Sequence, residues 1–242
     1  ADTCVVTIFV NPTQFAPTED LAKYPRPLER DLAMCEDAGM SLVFTPDIDS
    51  MDPRGFSTWV EETAITRRLE GESRPTHFRG VTTIVMKLFQ LVQPDVAYLG
   101  AKDYQQQLVI RRMTRDLDVP VEIVTCPTVR EPDGLALSSR NAYLSPEDRQ
   151  SALALSRALR RAEERLRAGE QEVEAVEREM RSMLESTAGV SIDYAVVVDG
   201  ETLEPITAPR PRMTALDARP AGTGVFSTYT RRRCAAGGSR AQ

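Results

Sequence analysis

Val5-Val6-Thr7-Ile8-Phe9-Val10 is β-branched, aromatic and almost continuously apolar, the pattern of a strand covered on both faces of a parallel sheet. Pro12 ends it. Leu28 to Ala38 places apolar residues at Leu28, Leu32 and Met34-Cys35, with Gly39 as a C-cap, which predicts a helix. Ser41 to Pro46 predicts a second short strand, so the chain opens strand–helix–strand. Thr58-Trp59-Val60-Glu61 predicts another short strand. Val81, Ile84, Val85, Leu88, Phe89 and Val92 recur at i, i+3, i+4, i+7, i+8 and i+11, a helical stripe closed by Pro94-Asp95. A strand at Val96 to Leu99, a helix from Tyr104 to Asp116 and a strand at Val119 to Cys126 follow. This alternation is that of a parallel α/β sheet. Pro146 to Ala168 and Gln171 to Glu185 then predict two helices with solvated, mixed-charge faces over apolar stripes. Ile192 to Val198 predicts a strand of a smaller α+β domain. From Pro209 the periodicity is lost, which predicts a poorly ordered tail. The expected organisation is a first domain over residues 1–143, a small second domain over 144–208 and the tail over 209–242.

Composition narrows this picture mainly by exclusion. The 242 residues carry a net charge of −6, which argues against a nucleic-acid binder, whose surface would be basic. No apolar run reaches the roughly 20 residues that span a bilayer, and no secretory signal pattern precedes Val5, so a cytoplasmic location is expected. The four cysteines are far apart in sequence, without the spacing of a zinc or redox pair. His77 is the only histidine, so a multi-histidine metal site is excluded by arithmetic.

The polar residues concentrate where predicted strands end. Asn11 and Gln14 follow the first strand. Asn11 before Pro12 also fits plain turn chemistry; Gln14 fits it less well. Gly100-Ala101-Lys102-Asp103-Tyr104-Gln105-Gln106 joins a strand to a helix, with a glycine that admits close backbone approach and a helix N-terminus that suits phosphate. A solvated cap is the plain structural reading of the same corner. Ser138-Ser139-Arg140-Asn141 gathers hydroxyl, guanidinium and amide donors suited to phosphate oxygens, or to capping the helix that Ser145-Pro146 opens. Leu69 to Gly80 carries two arginines and His77, either as a mobile segment over a site or as a solvated loop. A lone histidine in such a loop is more often a hydrogen-bonded structural group than a catalyst.

Together these stretches resemble the pantothenate synthetase (pantoate–β-alanine ligase) family. The resemblance rests on Ile8 to Phe15, Tyr24-Pro25-Arg26, Leu69-Glu70-Gly71 through His77-Phe78-Arg79-Gly80, Gly100 to Gln106, and Asp133-Gly134-Leu135-Ala136-Leu137-Ser138-Ser139-Arg140-Asn141, in order over Val5 to Leu203. It implies a Rossmann-like nucleotidyltransferase parallel sheet with a smaller C-terminal α+β domain, and a homodimer. The implied reaction is ATP-dependent: pantoate is activated as pantoyl adenylate with loss of pyrophosphate, then β-alanine displaces AMP. Mg²⁺ would accompany ATP, held through its phosphates. By resemblance, Gly100, Ala101, Lys102, Asp103, Val129, Leu137, Ser138, Ser139 and Arg140 bind ATP. Lys102, Ser138, Ser139 and Arg140 would touch phosphate, Asp103 the ribose, and Val129 and Leu137 would line the nucleotide pocket. Gln14 and Gln106 would orient pantoate, with Asn11 near the reacting groups. Lys102 and Arg140 would support catalysis.

The chain departs from the family pattern in three places. The family's first strand and His-x-Gly-His segment are absent, Ala101 stands where Glu is common, and Met213 to Gln242 lacks the family's apolar closing strand. The sequence expectation is therefore an N-terminally truncated synthetase with feeble turnover. A non-catalytic nucleotide-binding or dimerising fragment, and another nucleotidyltransferase of the same fold, stand as alternatives.

Overall fold

Parallel strand pairs, separated by helices, build the first part of the molecule. The structure is a computed structural model and describes residues 2–15, 21–219 and 226–233. It divides into two compact units, Ala1–Leu99 with Gln105–Val124, and Gly100–Tyr104 with Thr125–Gln242.

In the first unit, β1 (Val5–Thr7) is followed by α1 (Leu28–Asp37) and β2 (Leu42–Phe44). β1 and β2 are parallel, with Val5 opposite Leu42 and Thr7 opposite Phe44. Val5, Val6, Ile8 and Phe9 are half-buried, so the two-sided burial predicted for this run is incomplete among the described residues. The one-turn helices α2 (Ile48–Met51) and α3 (Glu70–Ser73) precede α4 (His77–Val92). β3 (Val96–Gly100) then runs into α5 (Tyr104–Asp116), and β4 (Glu122–Cys126) pairs with β3. Glu122 N donates to Asp95 O and Ala101 N to Cys126 O, so both chains advance together and the pair is parallel. The predicted stripe on α4 does its work here: Val81, Val85 and Phe89 pack with Ile110 and Met113 of α5 and with Ala97, Leu99 and Ile123 of the strands.

The strand expected at Thr58 to Glu61 is not formed. Val60 instead has both backbone groups satisfied by α4, its N–H donating to Thr83 Oγ1 at 3.0 Å and its carbonyl accepting from Thr82 Oγ1 at 2.6 Å. Two threonine hydroxyls replace a strand ladder.

The second unit contains α6 (Pro146–Arg167), α7 (Val173–Glu185) and an antiparallel sheet of β5 (Tyr194–Asp199), β6 (Arg212–Arg219) and β7 (Phe226–Arg233) in that order. Ser145 caps α6, accepting from Asp148 N at 3.0 Å, with Pro146 in the first turn. Leu155, Leu159, Ala162 and Leu166 of α6 face Val176, Met180 and Leu184 of α7, Ala195 and Val197 of β5, and Met213 and Ala215 of β6.

Residues 212–219 and 226–233, which the sequence reading places in the tail, pair as strands. Arg212–Arg219 carries a single β-branched residue, Thr214, yet Met213 and Ala215 are 1% and 3% exposed against the helices. Tertiary packing outweighs weak local propensity here. The remainder of the predicted tail, 220–225 and 234–242, lies outside the described residues. Residues 125–143 also differ from expectation, clustering with the second unit rather than with the strands before them. Leu135 is 2% exposed and packs with Ala152 and Leu153 of α6, which is the physical reason.

Candidate active site

The corner after β3 is held from two sides, within the second unit. Ala101 N donates to Cys126 O at 2.8 Å, and the buried Tyr104 hydroxyl donates to Gly200 O at 2.5 Å. Lys102 and Asp103 lie between these anchors, half-buried and exposed respectively, with Lys102 Nζ 3.2 Å from Asp103 Oδ1. Gly100 has open space where a Cβ would be, with no atom within 4 Å among the described residues beyond its chain neighbours. Protein packing therefore does not require a glycine there, whereas close approach by a ligand would.

Three residues beyond β4 the chain forms a tight hairpin. Arg130 bridges Ala136, Leu137 N donates to Val129 O at 2.9 Å, and Gly134 makes the turn at φ +97°. Val129 and Leu137 stand opposite each other and hence on one face. They are 66% and 56% exposed, an apolar pair open to solvent beside donor groups. Ser138 follows directly and caps a short 3₁₀ turn, Ser139–Tyr143, its Oγ accepting from Arg140 N at 3.3 Å. Ser138 to Arg140 thus combine a cap with an exposed or half-buried run of donors, and Ser145 independently caps the next helix.

A charged brace holds this hairpin. Arg149 of α6 meets Glu131 at 2.7 Å and Asp133 at 2.5 Å, and Asn141 Nδ2 donates to Glu131 Oε1 at 2.8 Å and to Ala136 O at 3.0 Å. The Arg149 and Asn141 hydrogen bonds hold the Glu131 carboxyl below its usual range. The Leu135 N–H, then Arg149, do the same for Asp133. Asn141, grouped by the sequence with the phosphate donors, is a strut of the hairpin. Sequence reasoning missed Glu131 and Arg149; their 18-residue separation leaves no local pattern to read.

The acid-side candidates lie in the first unit. Asn11 is 4% exposed; its Oδ1 accepts from Thr13 N and Thr13 Oγ1, and its Nδ2 donates to Gly80 O at 3.1 Å. Three of the four hydrogen bonds open to an amide are therefore made within the protein. The turn-chemistry reading of Asn11 describes this geometry. Gly80 is required by packing, since a Cβ would lie 2.5 Å from Thr13 O. Gln14 is half-buried, and its side-chain amide has no hydrogen-bond partner among the described residues.

The three consecutive glutamines of α5 separate clearly, because each residue turns about 100° around a helix. Gln105, 6% exposed, donates to Ile65 O and Arg68 O and accepts from Glu70 N. Gln107, 3% exposed, accepts from Arg111. Gln106 is half-buried, and its amide has no partner among the described residues. Gly100, Ala101, Lys102, Asp103, Val129, Leu137, Ser138, Ser139 and Arg140 belong to the second unit. Asn11, Gln14 and Gln106 fall in the first.

A family model described as pantoate–β-alanine ligase matches residues 1–224. The pantothenate synthetase of Moorella thermoacetica is 54% identical over 205 residues, 85% of this chain and 72% of that protein. The pantothenate synthetase of Roseiflexus sp. is 54% identical over 202 residues, 84% of this chain and 73% of that protein. The crystal structure of pantothenate synthetase from Thermus thermophilus has a TM-score of 0.91 at 46% identity, covering 94% of this chain and 83% of that one. Pantoate–β-alanine ligase from Francisella tularensis, complexed with β-γ ATP and β-alanine, has a TM-score of 0.74 at 30% identity, covering 95% of this chain and 79% of that one. From matched sequence and matched architecture alike, the chain belongs to the pantoate–β-alanine ligase family.

Proposed function

We propose that this chain joins pantoate to β-alanine at the expense of ATP, through an adenylate. A pantoate carboxylate oxygen attacks the α-phosphorus, the bond to the bridging oxygen breaks, and pyrophosphate leaves. The β-alanine amine then attacks the acyl carbon, AMP departs with the bonding pair, and the amine proton is lost to solvent. Both nucleophiles come from substrates, so the protein has to position groups and stabilise phosphate charge. Lys102 and Arg140 supply positive charge, Ser138 and Ser139 hydroxyl donors, and Asp103 an acceptor for ribose hydroxyls. Val129 and Leu137 offer an apolar face for the base. Gln14 and Gln106 offer amides that both donate and accept, as a hydroxy acid needs. Asn11 acts by holding the turn.

The observation that carries this reading is that, of three adjacent glutamines, the family's substrate position Gln106 is the one whose amide the protein leaves without a partner among the described residues. Mg²⁺ carried on the triphosphate would supply further neutralising charge. Lys102 and Arg140 with the single carboxylate Asp103 suit a cation brought in by phosphate, and no cluster of three metal-binding side chains occurs among the described residues. A homodimer is part of the same proposal. The test is formation of AMP and pantothenate that requires ATP, pantoate and β-alanine together. Nucleotide binding without pantoate-dependent AMP would overturn the reading and favour a binding fragment.

A further inference from the structure

The sole histidine has no place in the chemistry above, yet it is 8% exposed and directed at a specific atom. His77 Nδ1 lies 2.8 Å from the Gln14 carbonyl oxygen. That oxygen can only accept, so Nδ1 carries the proton and donates. Arg74 Nη2 donates to the same oxygen at 3.0 Å. Two donors use both lone pairs of one carbonyl. The far side of the same peptide is also held, because Phe15 N donates to Pro12 O at 3.1 Å. The Gln14–Phe15 peptide is therefore held at its C=O and its N–H, which anchors the backbone that carries the Gln14 side chain.

The donors are themselves positioned. Arg74 pairs with Glu70 at 2.9 Å, and Gln105 grips the peptides on both sides of Leu69, through Arg68 O at 2.7 Å and Glu70 N at 3.1 Å. Leu69 sits at φ 49°, ψ −116°, a conformation a leucine holds only when its surroundings impose it. His77 N closes the strap by donating to Arg74 O at 3.0 Å.

We propose that His77, with Arg74, is a positioning residue for pantoate recognition, acting through the Gln14 backbone while touching no substrate. The inference rests on the reading of Gln14 as a pantoate-orienting amide. It is tested by equilibrium titration of pantoate and, separately, of ATP into the full chain and three variants. His77→Phe keeps a ring without the donor. His77→Gln places its amide near the position of Nε2, and His77→Asn near that of Nδ1. Loss of one oriented donor is expected to weaken pantoate binding roughly tenfold in His77→Phe and His77→Gln, with His77→Asn recovering most of it. ATP affinity should stay within about twofold throughout, a split that general loosening of the fold would not give. Unchanged pantoate affinity in the folded Phe and Gln variants, an Asn variant as weak as they are, or equal loss of both ligands overturns the inference alone. Absence of pantoate binding by the unaltered chain overturns the functional reading beneath it.

Discussion

Gly100 and Gly80 show how two glycines in one chain answer to different demands. Gly80 is forced by Thr13, whose carbonyl oxygen would lie 2.5 Å from an added Cβ. A Cβ at Gly100 would meet no atom within 4 Å among the described residues beyond its chain neighbours. Gly100→Ala should therefore fold with an unchanged melting temperature and lose ATP affinity, whereas Gly80→Ala should lose stability and leave little to assay. Calorimetric titration of ATP beside thermal melting separates the two. Lys102 makes a loose pair with its neighbour Asp103, and exposed pairs contribute little to stability. Lys102→Met is thus expected to melt like the parent while turnover falls by a factor of about 100 or more, since charge aimed at a transition state is worth several kcal/mol. At this scale the sequence was partly legible. The family pattern singled out Gln106, but nothing local says that Gln105 is buried and bonded three times, because that depends on Ile65, Arg68 and Glu70, 35 to 40 residues away.

Among the elements, the hairpin before Ser138 depends on charge. Glu131 and Asp133 both titrate below the usual carboxylate range because of Arg149 and their neighbouring donors. Groups with lowered values stabilise the fold above their unfolded values, near 4, and lose that contribution as pH falls through the folded ones. Acidification below about pH 4 is expected to loosen the Val129 to Arg140 segment, and Arg149→Met should reduce that acid-dependent loss while lowering stability at neutral pH. Melting temperature measured from pH 7 to pH 3 for both proteins checks this. The strap from Ile65 to His77 depends on Gln105, so Gln105→Met should raise hydrogen exchange and proteolytic cutting near Leu69 first. Elements with strong periodicity, such as the α4 stripe, were readable in advance. Thr58 to Glu61 and β6 were not, the first because threonine hydroxyls replace a strand ladder, the second because burial by distant helices decides its state.

For the whole molecule, the α/β class followed from the alternation of strand and helix patterns, and the two-unit division only in part. The hairpin at 129–137 joins the later unit because Leu135 packs on α6 and Arg149 reaches back to it. The core of that unit is well filled: Leu155, Leu159 and Leu184 are each at most 1% exposed. Leu159→Ala should cost about 2–5 kcal/mol of stability in denaturant unfolding, by removing buried methyl groups and leaving a cavity.

The Tyr104 hydroxyl on the Gly200 carbonyl has a consequence for how the molecule would respond to its ligands. It ties the Lys102-Asp103 corner to the residue after β5, so the nucleotide candidates share a compact unit with the antiparallel sheet. ATP at a hundredfold excess over its dissociation constant should then add about 2.7 kcal/mol to the stability of that unit. Amide protection should rise along β5 and β6 even though neither strand supplies a ligand group. Tyr104→Phe should keep ATP binding measurable while cutting that remote protection. Pantoate, whose candidates lie in the other unit, should instead protect the Leu69 strap and the start of α4. Two small molecules would thus leave two separate footprints on one chain.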